Sequence, residues 1–205
     1  MDEITTTLAI EGVKLIVAEI VKRFPTNEKR WSELRDRLAR DAVPQLENAL
    51  YTFMDYQIDK NQQTAEQLGQ KLDVETAERL FSRLFFESMH ATTKERTRLL
   101  CAALAGSLNP DFDTELKSRI TRAILELEPS DVVLLRRLTT SGTYDIPDQQ
   151  VEREAQYSHD ALNRAGCLDF SEGGYGGGRQ TRVTQLGRDL VRYLAAWTPE
   201  ADSSE

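Results

Sequence analysis

The composition of this chain is that of an acidic globular protein. Its 205 residues, 40% of them hydrophobic, suffice for one large domain or two small ones, and its net charge is −8. Residues 1–130 carry 18 basic and 22 acidic side chains and residues 131–205 carry 8 and 12, so each part has a charge of −4. Nucleic-acid-binding domains are usually basic, so bulk charge argues against that class for either part.

No motif in the sequence predicts catalysis or the binding of a cofactor or metal. Cys101 and Cys167 are far apart and have no ligand-spaced partners, which argues against a disulfide scaffold. His90 and His159 also lack such partners, so a zinc site is not expected, and both are predicted to be surface or helix-end residues. The glycine-rich run at 173–178 has no phosphate-binding lysine and precedes a strand. We therefore expect a non-enzymatic protein in a reducing cytoplasm, with no catalytic residue, cofactor or metal.

Residues 4–24 have the period of an amphipathic helix, which Pro25 ends. Glu11, Lys14 and Glu19 interrupt its apolar run and mix both charges, so a signal peptide, a transmembrane helix and a membrane-surface helix are not expected. The apolar face either packs on its own domain or is covered by a second copy of the chain. We favour the second alternative and predict a homodimer built mainly from the N-terminal helices, with Val13, Ile16, Ile20 and Phe24 as candidate contacts.

Helical periodicity continues through the middle of the chain. Asp73 is placed to cap one helix, because its carboxylate can accept from free N–H groups of the first turn. Thr92 and Glu95 have the spacing of a capping box at the start of the next helix. A further helix is expected at about 113–128. Residues 1–128 are therefore predicted to form a helical domain.

The last third of the chain begins with two predicted helices. The first starts at Pro129, where proline is favoured in the first turn. The second lies within residues 151–165, and the residues expected on its buried face are Tyr157, Ala161 and Leu162. Gly166 follows at the position where a helix end commonly needs a left-handed residue.

A β-hairpin and a closing helix are predicted after Gly166. Apolar residues up to Phe170 precede the glycine-rich turn, and the β-branched Thr181, Val183 and Thr184 favour a second strand. Helical spacing then returns with Leu186, Leu190, Tyr193, Leu194 and Trp197. This order is that of a winged helix. The chain is thus predicted to be mainly α, with a helical domain at 1–128, a winged-helix-like domain at 129–198 and a disordered tail at 199–205.

Two functions fit a winged-helix-like domain, and charge separates them. A DNA-binding regulator would use the helix at 151–165 and the wing at 171–182, with contacts from Arg164, Arg179 and Arg182. The same helix region contains Glu152, Glu154 and Asp160, which would repel phosphate. We therefore favour an adaptor or regulator that binds protein and keep DNA binding as the alternative.

Four segments within about residues 75–195 carry a resemblance to a known group: RTRLLCAALAGSLNP, LELEPSDVVLLRRL, LNRAGCLDF and RVTQLGRDLVRYL. They resemble the abortive-infection-alpha group of bacterial and phage proteins, in which a helical region precedes a winged-helix-like end. The resemblance implies a role in phage defence or a phage-borne accessory function. It implies no catalytic residue.

Overall fold

A computed structural model of the chain describes residues 43–61, 93–140, 153–172 and 179–199, together with residues 73, 75–77, 79, 80, 83, 84, 87 and 91. These residues are mainly helical, as predicted. The helices are α1 (Val43–Asn61), α2 (Lys94–Ser107), α3 (Thr114–Glu126), α4 (Pro129–Thr140), α5 (Arg153–Arg164) and α6 (Gln185–Tyr193), and the strands are β1 (Leu168–Glu172) and β2 (Arg179–Val183). The helix predicted at 4–24 and the glycine-rich turn at 173–178 lie outside the described residues.

The chain divides into two compact units. The first comprises Met1–Phe112 with Ala195–Thr198, and the second comprises Asp113–Leu194 with Pro199–Glu205. By its contacts α3 therefore belongs to the second unit, although the sequence predicts a domain boundary after residue 128. The domains predicted at 1–128 and 129–198 and the tail predicted at 199–205 stay predictions.

In the first unit, α1 and α2 pack against each other. Leu46, Leu50 and Phe53 lie on one face of α1 and are almost fully buried. Residues 99–107 of α2 are all buried, because this segment is apolar or small on every side and must be surrounded by other parts of the chain. Trp197 is 1% exposed and belongs to this unit.

Side-chain hydrogen bonds cap the N-termini of two helices for which the sequence predicted caps, and one of the capping residues differs from the prediction. Asp73 accepts a hydrogen bond from the Thr76 N–H at 3.1 Å, which confirms its predicted capping role. The predicted capping box of Thr92 and Glu95 is wrong, because the Thr93 side chain caps α2 by accepting from the Arg96 N–H at 3.1 Å. Thr93 has extended backbone angles, so helical geometry starts one residue later than the spacing suggested.

The core of the second unit lies between its helices and the hairpin. Helix α4 packs against α5 and α6 and also contacts β2, while α6 contacts α3, and α5 contacts β1. Each element presents apolar residues to this core: Ile120, Ile124, Val132, Leu135, Leu138, Leu162, Cys167, Leu168, Val183, Leu190, Tyr193 and Leu194. The hairpin is therefore anchored by its base, where the buried strand residues lie.

The predicted hairpin is confirmed between residues 168 and 183. The strands β1 and β2 are antiparallel, with Leu168 opposite Val183 and Asp169 opposite Arg182. The first pair is buried and the second is exposed, as alternation along a strand requires. The prediction that Thr184 belongs to the second strand is wrong, because Thr184 is the N-cap of α6.

Two glycines allow the hairpin to join its neighbouring helices. Gly166 has φ of 74°, which confirms the predicted left-handed residue after α5. Gly187 of α6 lies so close to the chain before β1 that a Cβ there would overlap the Cys167 carbonyl oxygen. Only glycine permits this approach between helix and strand.

Candidate interaction surface

Helix α5 is amphipathic, and its packing determines which side faces outward. Leu162 is fully buried, and Ser158 and His159 are also buried, so these three residues form the inner side of the helix. Five exposed residues lie on the outer side and are called here the α5 face: Gln156, Tyr157, Asp160, Asn163 and Arg164. Their spacing of one, three, three and one residues makes a continuous stripe along the helix.

Tyr157 is the most exposed of the large hydrophobic side chains among the described residues. Its exposed fraction is 79%, compared with 42% for Tyr51 and 39% for Tyr56. The prediction that Tyr157 is buried is wrong, because the inner side runs through residues 158, 159 and 162 and leaves position 157 on the outside. An aromatic ring with this exposure is available to a partner.

His159 also differs from its prediction as a surface or helix-end residue. It lies in the middle of α5, away from both helix ends, and its side chain is buried, with 6% of the residue exposed. His90, the other histidine, lies outside the described residues. Within the described part of the chain, no group of three His, Cys, Asp or Glu residues is placed to hold a metal ion.

The two charged residues of the α5 face do not pair with each other. Asp160 and Arg164 are four residues apart, a spacing that often gives an ion pair on a helix. Neither makes an ion pair or a side-chain hydrogen bond within the described residues, and both are exposed. The same is true of Gln156, Tyr157 and Asn163, so the stripe keeps all of its donors and acceptors available.

The arginines predicted to contact DNA lie at the end of α5 and on β2. Arg164 is exposed in the last turn of α5. Arg182 is exposed and lies opposite Asp169, while Arg179 lies opposite Glu172 in the strand register. Positions 179 and 182 belong to opposite faces of the strand. Arg182 thus has an acidic residue opposite it across the hairpin, which reduces the positive charge that a phosphate would meet there.

A network of polar side chains on α6 was not anticipated from the sequence. Arg188 donates to the Val183 carbonyl at 2.9 Å and to Gln185 Oε1 at 3.1 Å. Gln185 also donates to both carboxylate oxygens of Asp189, and Arg192 donates to one of them at 3.2 Å. The spacing of 185, 188, 189 and 192 is a signal that could have predicted this network. Arg188 and Arg192 are therefore already engaged in contacts within their own unit.

Two thiols and one guanidinium among the described residues have pKa values that burial shifts. Burial raises the pKa of the Cys101 and Cys167 thiols from 9.0 to about 12, which keeps them protonated and poorly nucleophilic at neutral pH. Burial lowers the pKa of Arg136, which donates a hydrogen bond to the Leu194 carbonyl. Each of these groups is part of the interior of its own unit, and neither thiol is an exposed nucleophile.

The residues predicted for self-association, Val13, Ile16, Ile20 and Phe24, lie outside the described residues. Among the helices that the structure describes, none has both the length and the apolar character needed to cross a membrane.

Comparison of the chain with protein-family models, curated proteins and solved structures finds no match.

Proposed function

We propose that this chain is a non-enzymatic adaptor or regulator that binds a protein through the α5 face. In this proposal α4, α5, the β1–β2 hairpin and α6 form a winged-helix-like module, since this is the order of elements along the second unit. Helix α5 then occupies the position of the recognition helix, immediately before the wing. A cytoplasmic role in phage defence is the biological setting that the resemblance to the abortive-infection-alpha group suggests.

The exposure of Tyr157 is the observation that carries this proposal. Tyr157 is 79% exposed, so most of its surface is available for contact. Tyrosine is enriched among residues that dominate protein interfaces, because it buries a large rigid surface and still forms a hydrogen bond. Uncharged Gln156 and Asn163 beside it can donate and accept without a strong charge being desolvated.

DNA binding is the alternative from a different class. Gln156, Asn163 and Arg164 are residue types that read base edges, and α5 exposes all three. Most of the affinity of such complexes comes from neutralised phosphates, and Asp160 offsets Arg164 on the same helix face. Asp169, opposite Arg182 on the hairpin, acts similarly. Charge therefore favours a protein partner.

Affinity capture with a matched tyrosine control tests the proposal. The wild-type chain, Tyr157→Ala and Tyr51→Ala are used as baits in extract of the native cell, and captured proteins are quantified by mass spectrometry. A specific partner should be recovered with wild type and Tyr51→Ala and should fall by about tenfold or more with Tyr157→Ala, the loss expected for an interface hot spot. Equal recovery by all three baits contradicts the proposal.

Fluorescence anisotropy with random duplex DNA tests the alternative. At low salt we expect only weak binding that Arg164→Ala and Arg182→Ala barely change. Submicromolar binding that weakens with salt, and that each substitution reduces, would assign the α5 face to DNA instead.

A further inference from the structure

The α5 face has the chemistry needed to bind a copy of itself. It carries one acid and one base, Asp160 and Arg164, which lie one helical turn apart and are both exposed. We propose that a second copy of this chain docks on the α5 face through its own α5 face, with the two helices antiparallel across a two-fold axis. This inference rests on the proposed function, because it names the protein that the face binds.

The antiparallel register follows from charge. When two identical helices run in opposite directions with Asp160 opposite the partner's Arg164, the two-fold axis necessarily places Arg164 opposite the partner's Asp160. One exposed pair therefore produces two intermolecular ion pairs. Neither side chain must first break an ion pair with a described residue, so no such contact is lost on docking.

The same register gives Tyr157 an apolar contact. It lies three residues before Asp160, so its ring extends past the charged pair towards the turn that follows the partner's Arg164. In each copy this turn contains half-buried Ala165 and exposed Gly166. Leu186 lies next to it, with Cδ2 3.6 Å from the point where a Cβ on Gly166 would be. This small-residue turn leaves room for a tyrosine ring, and the leucine offers it an apolar surface.

A second copy fits the α5 face better than a strongly acidic or strongly basic partner. A partner of one charge would attract either Asp160 or Arg164 and repel the other, which disfavours binding. A copy of the chain matches both. The contact is restricted to one helix and the adjoining turn, so it is smaller than a standard interface of about 800 Å² per partner, and the dimer is expected to be weak.

Sedimentation equilibrium of the full chain with charge-reversed variants tests the inference, over about 10 µM to about 1 mM protein, where weak dimers form. The wild-type mass should rise above 23.3 kDa with concentration. Asp160→Arg alone and Arg164→Asp alone should each weaken association by at least about tenfold, because each creates two like-charge contacts. Mixing these two variants should restore association, since a mixed dimer regains both pairs, and the double reversal Asp160→Arg/Arg164→Asp should restore it too.

A matched pair on α3 controls for general effects of charge. Glu115 and Arg119 are also exposed and four residues apart, so Glu115→Arg and Arg119→Asp should leave association unchanged. A wild-type chain that stays at 23.3 kDa throughout overturns the inference. So does self-association that the α5 reversals leave unchanged, which would point to another interface such as the predicted N-terminal one. If the wild-type chain does not self-associate but captures a different protein in a way that depends on Tyr157, this inference is rejected and the proposed function is retained.

Discussion

At the residue scale, the backbone determines the choice of glycine at two positions in the second unit. Gly187 leaves no room for a side chain beside the Cys167 carbonyl, and a Cβ there would also lie 3.0 Å from Val183 Cγ1. A Cβ on Gly166 would make only an ordinary van der Waals contact with Leu186 Cδ2 at 3.6 Å, so the constraint there is the positive φ. The two glycines lie close together in the fold and are required for different physical reasons, overlap in one case and backbone strain in the other.

This difference predicts unequal effects of alanine substitution. Gly187→Ala should lower the free energy of unfolding by about 3 kcal/mol or more, because the carbonyl it meets is backbone and cannot rotate away. Gly166→Ala should cost about 1 kcal/mol, the usual penalty for a left-handed alanine. Urea denaturation measures both values. Equal losses would mean that α6 shifts away from the strand easily.

The buried thiols predict a dependence of stability on pH. Because the folded pKa of Cys101 and Cys167 is about 12 and the reference value is 9.0, the folded state holds protons that the unfolded state loses. The stabilising effect is complete below pH 9 and is lost as pH rises from 9 to 12, by about 1 kcal/mol per pH unit for each thiol.

Comparing wild type with Cys101→Ala and Cys167→Ala isolates this effect from the titration of tyrosine and lysine. Urea midpoints measured from about pH 8 to about pH 10.5 should fall less steeply for each variant than for wild type. Parallel pH profiles for all three proteins would show that the thiols are accessible to water in the folded state.

At the element scale, the junction of hairpin and α6 depends on Thr184. Its hydroxyl accepts from the Gly187 N–H at 3.1 Å and donates to the Gly166 carbonyl at 2.7 Å, and its own N–H donates to the Cys167 carbonyl at 3.0 Å. One side chain thus begins a helix and holds the turn that ends another. Within the described part of the chain, the hydroxyl of Thr93, the N-cap of α2, has the first kind of role alone, as acceptor from the Arg96 N–H.

Thr184→Ala should therefore be more destabilising than Thr93→Ala. We expect a loss of about 2 kcal/mol for Thr184→Ala and about 1 kcal/mol for Thr93→Ala, measured by chemical denaturation. Thr184→Ser keeps the hydroxyl and should retain most of the stability. If Thr184→Ser lost as much stability as Thr184→Ala, the lost stability would come from the threonine methyl group and not from the hydroxyl that caps the helix.

At the scale of the whole molecule, the first unit includes a segment distant in sequence. Ala195–Thr198 belongs to it, although the residues directly before and after belong to the second unit. Within the first unit Trp197 is 1% exposed, and Arg98 donates to the Thr198 carbonyl at 3.1 Å. A buried tryptophan contributes much of the apolar area in a small core.

Trp197→Ala should consequently lower the stability of the first unit by about 3–5 kcal/mol, because it removes a fully buried large side chain. Thr198→Ala is the control, since Arg98 binds the backbone carbonyl and the Thr198 side chain is exposed. Hydrogen exchange at α1 and α2 reports on this unit and should accelerate only in Trp197→Ala. Unchanged protection there would show that the tryptophan is dispensable for this core.

The sequence by itself determined the features that depend on local chemistry: the periodic helices, the left-handed Gly166, the strands around a glycine-rich turn and the Asp73 cap. Only the tertiary structure decided the rotation of α5. Leu162 is its one large apolar residue beyond the exposed tyrosine, so periodicity alone permits several faces, and contacts with α4 and β1 select the side containing Ser158 and His159. That rotation exposes Tyr157 and aligns it with Asp160 and Arg164, because side chains three and four residues apart share one side of a helix.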